Sequence, residues 1–174
     1  MMMGRRWIED ESRPAVMAIL NVTPDSFSDG GACVTPEAAA ARARQFADEG
    51  ADIIDIGGES TRPGSQPVDE TEELRRVVPA VRAIRAAGVD LPLSIDTRRA
   101  AVAAACLELG ATIINDVSAL ESDPDLPRVV RDTGAFCVLM HGYNPPAETV
   151  TTASVIRYLR ALIDFAVSCG IGRD

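Results

Sequence analysis

With 174 residues, 47% of them hydrophobic but only 4% aromatic, the chain is long enough for one domain whose core is Ala, Val, Ile and Leu packed between helices and strands. Lys and Arg total 17 against 26 Asp and Glu, a net charge of −9, which opposes non-specific binding to nucleic acid or to an anionic membrane. No apolar run approaches the ~20 residues of a membrane span, and residues 1–10 lack the apolar centre of a signal peptide, so a cytoplasmic protein is expected.

Ala15 to Leu20 is a short apolar run, the pattern of a strand buried on both faces of a parallel sheet. Asn21 is its first polar side chain. Behind it, Val22-Thr23-Pro24-Asp25-Ser26-Phe27-Ser28-Asp29-Gly30-Gly31 is rich in turn formers and has neither a helical nor a strand period. A polar loop on the end of a buried strand is where α/β proteins place their chemistry, although a lone Asn or Asp there most often only builds a turn.

Thr35-Pro36-Glu37 predicts a helix start, with an N-cap, a first-position proline and an acid in the first turn. Gly50 stops that helix and 51–56 form a second strand, leading to Gly57-Gly58-Glu59-Ser60-Thr61-Arg62-Pro63-Gly64. Asp69 and Glu72 predict a capping pair for a helix that runs to about Ala87, with a kink or break at Pro79. Leu91 to Ile95 is a third strand closed by Asp96-Thr97, followed by a helix from Arg98 to Leu109. Ile113-Ile114 carries a fourth strand into Asn115-Asp116, a short helical piece spans 125–132, and Phe136 to Met140 form a fifth strand leading to His141. Thr152 to Cys169 is the last helix.

Gly50-Ala51, Gly110-Ala111 and Gly134-Ala135 each precede an apolar strand, a weak internal repeat. Alternating strand and helix predict a parallel sheet with right-handed crossovers. Neither G-x-G-x-x-G after the first strand nor a G-x-x-x-x-G-K-[ST] loop is present, so the open nucleotide-binding sheet loses its usual support. The expected fold is α/β of (β/α)₈ TIM-barrel type, with Asn21, Thr61, Asp96, Asn115 and His141 gathered on the face that carries barrel active sites. Cys33, Cys106, Cys137 and Cys169 are far apart and His141 is the single histidine, which argues against a zinc site. Cys106 and Cys137 read as reduced, buried cysteines.

The string from Ile19 to Gly31 resembles the first signature of dihydropteroate synthases, the folate-pathway transferases that join a pterin pyrophosphate to p-aminobenzoate. Gly58 to Gly64 resembles the second signature, Ser94-Ile95-Asp96-Thr97 the third, Ile114-Asn115-Asp116-Val117 the fourth, and Met140-His141 a later one. The resemblance implies that Asn21 helps hold Mg²⁺, whose charge stabilises the leaving pyrophosphate, and that Thr61 binds that pyrophosphate. It assigns Arg62 and Pro63 to the p-aminobenzoate side and makes Met140 an apolar wall beside the flat pterin. Phe27 and Asp29 would close over the reacting centre. Asp96 with Asn115 would complement the pterin edge, Asp96 also opposing positive charge that grows on the ring. Against this stand simpler duties: Asp96 or Thr97 as a helix cap, Asn115 as a turn former, His141 as a packing residue.

The segment 142–146 departs from the family's usual sequence, and a barrel of this class takes about 250 residues and eight strands. The Asp-Pro-Gly, Ser-Arg-Lys and Arg-x-His signatures of the family's later strands do not follow. The expectation is therefore a single partial domain over 1–174, inactive and poorly folded alone, from an enzyme that is a homodimer when complete. A non-catalytic pterin-binding remnant and a pterin-dependent methyltransferase barrel are the alternatives. The pyrophosphate-type loop after Asn21 disfavours the methyltransferase.

Overall fold

The computed structural model describes residues 12–23, 35–59, 68–141 and 150–173. Five strands, β1 (Met17–Asn21), β2 (Ile53–Gly57), β3 (Leu93–Asp96), β4 (Ile113–Asp116) and β5 (Phe136–Leu139), lie in sequential order in one sheet, and every neighbouring pair is parallel. The helices between and after them are α1 (Pro36–Asp48), α2 (Glu70–Ala86), α3 (Ala100–Glu108), α4 (Leu126–Thr133) and α5 (Thr152–Ser168). The architecture is the first five βα units of a TIM-type barrel.

Alternation along the strands divides the sheet into two faces. Leu20, Ile54, Ile56, Leu93, Ile95 and Ile114 turn toward the helices and join Val77, Val81, Ile84, Val102 and Leu126 in one core, each 2% exposed or less. Among the described residues the opposite face carries no helix layer, although its central residues Ile53, Ser94 and Ile113 are 3% exposed or less. Strand β1 is therefore not buried on both faces as its composition suggests: Ile19 is 65% exposed and Met17 37%. An apolar strand sequence reports that both faces suit burial, not that both are covered. Helix α5 also leaves Ile156, Ile163, Phe165 and Val167 exposed.

Helix boundaries follow the local chemistry. Thr35 Oγ1 accepts from the backbone N–H of Ala38 at 3.2 Å, with Pro36 as the first helical residue. Thr151 and Ser154 form a reciprocal capping box on α5. Gly50, Gly110 and Gly134, the repeat's glycines, all have positive φ where a helix ends and the chain turns into a strand. Asp69 caps α2 by accepting from Glu72 N–H at 2.8 Å, but only half of the expected pair forms. The Glu72 carboxylate instead takes Arg75 and Arg76 at 2.6 and 2.7 Å, because two cations outcompete one backbone N–H. Pro79 causes no break, and α2 continues through it. The carbonyl one turn before it belongs to Arg75, whose side chain is exposed, so water can satisfy what the proline cannot.

Gly58 lets β2 lie against α2, since a Cβ there would stand 2.5 Å from Val77 Cγ2 and 3.1 Å from Glu73 Cγ. Gly58→Ala is expected to destabilise the chain by about 1–3 kcal/mol through overpacking. The check is its urea midpoint against that of Gly88→Ala, where a Cβ meets no neighbour within 4 Å and only the positive φ opposes it. If Gly58→Ala unfolds with the wild-type midpoint, the close approach is not a constraint. Cys106 is fully buried and Cys137 half-buried. Burial, with Glu73 near the first and Asp116 near the second, pushes both thiols up to about 12, which makes them inert packing groups.

Candidate functional site

Strand register stacks the uncovered face in rows. The row at the carboxyl ends is Asn21, Gly57, Asp96, Asn115 and Val138, and the row beneath it is Ile19, Asp55, Ser94, Ile113 and Phe136. Three of the residues expected from sequence, Asn21, Asp96 and Asn115, thus share one level on three strands. Gly57 separates Asn21 from Asp96: a Cβ on it would sit 3.4 Å from Asn21 Oδ1 and 3.5 Å from Asp96 Oδ2. The missing side chain keeps a cleft between an amide oxygen and a carboxylate oxygen.

Asp96 and Asn115 are left available because their neighbours build the fold. Thr97 Oγ1 accepts from the Arg99 N–H at 3.2 Å, and Asp123 Oδ2 accepts from the Ala100 N–H at 2.8 Å, so the start of α3 takes nothing from Asp96. Helix α3 accordingly begins two residues later than the sequence suggests, with Arg99 at its cap position and no cap bond from that side chain. Asp116, not Asn115, holds the turn after β4. Its carboxylate accepts from the Ser118 N–H, the Ser118 hydroxyl and the Leu120 N–H, each at 2.7 Å, fixing Ala119 and Leu120 at positive φ.

The Asp96 carboxyl receives no hydrogen bond from the described residues. Burial, followed by the charges of Asp55, Glu73, Asp116 and Glu59, pushes it up to about 7. A carboxyl in that position favours any ligand that brings N–H donors or positive charge. Directly below, Asp55 Oδ2 accepts from Asn115 Nδ2 at 3.1 Å. Asp55 Oδ1 and Ser94 Oγ are buried without a partner among the described residues, two polar atoms aimed at the same uncovered face.

Beside this cluster an ion network ties β2, α2 and α3 together. Glu59 pairs with Arg98 at 3.2 Å and Arg99 at 2.9 Å. Arg99 also holds Glu73, which is 1% exposed, and the Val68 carbonyl oxygen, while Arg76 donates to Gly58 O at 3.0 Å. Residues 59 and 68 are thereby fixed to the same guanidinium. Thr61, Arg62 and Pro63 between them lie outside the described residues, as do Phe27, Asp29 and the segment 142–146. Met140 stands just past the end of β5, 43% exposed. His141 packs edge-on against Tyr158 of α5, ring centroids 5.0 Å apart and planes at 82°, a contact that serves packing.

Sequence reasoning missed Asp55, Ser94, Gly57 as a space, and the Arg99 network. A signal existed for the first three: counted in steps of two, Asp55 and Gly57 fall in phase with each other, as do Ser94 and Asp96.

A parallel sheet of TIM-barrel type with hydrogen-bond acceptors collected at the carboxyl ends of its strands places a polar cluster where barrel enzymes carry their sites. The chain belongs to the pterin binding enzyme family, whose model matches residues 17–174. Dihydropteroate synthase from Clostridium beijerinckii is 40% identical over 171 residues, covering 98% of this chain and 63% of that protein. Among solved structures, Xanthomonas albilineans dihydropteroate synthase with 4-aminobenzoic acid superposes with a TM-score of 0.83 at 48% identity, covering 92% of this chain and 58% of the other. Dihydropteroate synthase from Clostridium difficile, in the presence of pteroic acid, gives a TM-score of 0.83 at 42% identity over 92% and 61% of the two chains. The chain thus spans about 60% of the length of these relatives.

Proposed function

We propose that the chain carries the pterin end of a dihydropteroate synthase site, in a cytoplasmic enzyme that is a homodimer when complete. The reaction joins 6-hydroxymethyl-7,8-dihydropterin pyrophosphate to p-aminobenzoate. The bond from the pterin methylene to the pyrophosphate oxygen breaks, pyrophosphate leaves with the bonding pair, and the aniline nitrogen forms the new C–N bond and loses a proton. The observation that carries the reading is the adjacent placement on neighbouring strands of Asp96, a carboxyl with no hydrogen bond from the described residues, and the Asn115 amide. Asp96 would accept from ring N–H groups and oppose the positive charge that spreads into the ring as pyrophosphate departs. Thr61 would hold the pyrophosphate, Arg62 and Pro63 the p-aminobenzoate, Met140 the ring face, and Phe27 with Asp29 would close over the reacting centre.

The cleft at Gly57 also fits Mg²⁺. A hard cation that keeps most of its water shell needs only one or two protein oxygens beside the substrate phosphates, and the Asn21 amide oxygen borders a space that any Cβ on Gly57 would fill. Asn21 would hold the ion, which when bound supplies charge stabilisation to the leaving pyrophosphate. Asn21→Ala is expected to raise the Mg²⁺ concentration needed for binding the pterin pyrophosphate and to leave the affinity for a pterin lacking pyrophosphate unchanged. Equal losses for the two ligands would remove Asn21 from the metal site.

The direct test combines dihydropteroate formation by the chain, supplied with Mg²⁺ and both substrates, with titration of the pterin alone. Pterin affinity without turnover is the expected result for a chain that spans about 60% of the length of the synthases it resembles, and transfer of a methyl group from a folate favours the methyltransferase. Absence of both pterin affinity and turnover overturns the proposal. Protonation offers an independent handle. Ring N–H donors select the ionised Asp96, whose free carboxyl titrates at about 7, so binding below that pH must expel a proton. Affinity should fall about tenfold per pH unit below the Asp96 pKa and level off above it. A flat profile between pH 5 and 8 would exclude Asp96 from the contact.

A further inference from the structure

We propose that Asp55 is a positioning residue that sets the direction of the Asn115 amide, and with it the pattern of acceptors offered to the ligand. The ligand's identity rests on the pterin reading above, whereas the positioning role rests on geometry alone. Asp55 is 5% exposed, in the row beneath the site, and its Oδ2 takes Asn115 Nδ2 at 3.1 Å. The carboxyl oxygen accepts, so the amide turns its NH₂ group toward Asp55. Its oxygen then faces the other way and accepts nothing from the described residues.

Register places Asn115 beside Asp96, which also receives no hydrogen bond from the described residues. The two side chains therefore present neighbouring acceptors, an amide oxygen and a carboxylate. That pair matches an edge with adjacent N–H donors, such as a ring N–H next to an exocyclic amine, and meets an edge of acceptors with repulsion. If Asn115 were free to flip, the same position would offer a donor and the selection would weaken. The partnerless Asp55 Oδ1 fits this role, since a buried carboxylate left half-satisfied costs stability and does nothing for the core. What it supplies is orientation.

The experiment needs no ligand in its first arm. In the ¹⁵N-labelled chain, one Asn115 Nδ2 proton should exchange slowly with solvent, and that protection should vanish in Asp55→Ala. Asp55→Asn has nearly the same volume and can donate to the Asn115 oxygen, so it preserves packing while permitting the flipped amide. In the second arm, binding of 6-hydroxymethylpterin should weaken about tenfold in Asp55→Ala and in Asn115→Ala. The double variant should lose no more than Asn115→Ala alone, because Asp55 acts through that amide. An Asn115 side chain equally protected in Asp55→Ala, or additive losses in the double variant, would overturn the positioning role. If the wild-type chain does not bind the pterin, the pterin reading fails while the amide protons still decide the role of Asp55.

Discussion

Asp96→Asn is expected to weaken pterin binding by about 10- to 100-fold, the scale of one hydrogen bond to a charged group, and at the same time to make the free chain more stable above pH 7. The two effects have one cause. The Asp96 carboxyl is held at about 7 by burial and by the carboxylates around it, so its folded-state value lies above its unfolded one. The stability associated with its protonated form is fully present below the unfolded value near 3.8 and is lost as pH rises through about 7. An amide carries no charge to desolvate, so the variant should gain on the wild type across that window and match it at acid pH. It also brings N–H donors to a place where a donor-rich ring needs acceptors. Urea midpoints at pH 4 and pH 8, with pterin titration at pH 8, test both halves. A variant that loses affinity with no gain in midpoint between the two pH values would mean that the carboxyl is not strained in the free chain.

The sequence makes the site's outline legible and hides its support. Asn21, Asp96 and Asn115 stand out because each is a polar residue at the carboxyl end of an apolar stretch, and parallel strands of similar length bring such residues to one level. The simpler duties also exist in this stretch of the chain. Capping and turn formation are real at these positions, but they fall on Thr97, Asp123 and Asp116, one or more residues away. In a strand, a shift of one residue changes the face, so Asp116 turns into the fold while Asn115 turns into the site.

Asp55 is hidden in the sequence for a related reason. A polar residue inside Ile53-Ile54-Asp55-Ile56 interrupts an apolar run only if its face is ignored, and its partner Asn115 lies 60 positions away in sequence. No local pattern connects the two. The Arg99 network is hidden more deeply, since an Arg-Arg pair at a helix start reads as a solvated turn until the packing of α2 against α3 brings Glu73 to it. For Thr61, Arg62, Pro63, Phe27 and Asp29 the reading rests on the signatures alone.

Arg99→Met should be the most destabilising single change in the described part of the chain, about 3–5 kcal/mol. Glu73 is 1% exposed on α2 and its carboxylate is paired with the Arg99 guanidinium. The same guanidinium binds Glu59 at 2.9 Å and the Val68 carbonyl oxygen, so its removal strands the buried Glu73 charge and the Val68 carbonyl oxygen. The cost arises from the unpaired Glu73 rather than from the worth of the pair, because desolvating two charges offsets most of their attraction. The double variant Arg99→Met, Glu73→Leu should therefore recover most of the loss, with Glu59 still held by Arg98 at 3.2 Å. Urea unfolding of the two singles and the double closes the cycle. A double variant as unstable as Arg99→Met would show that tethering residues 59 and 68, and not compensation of the Glu73 charge, is what this arginine contributes.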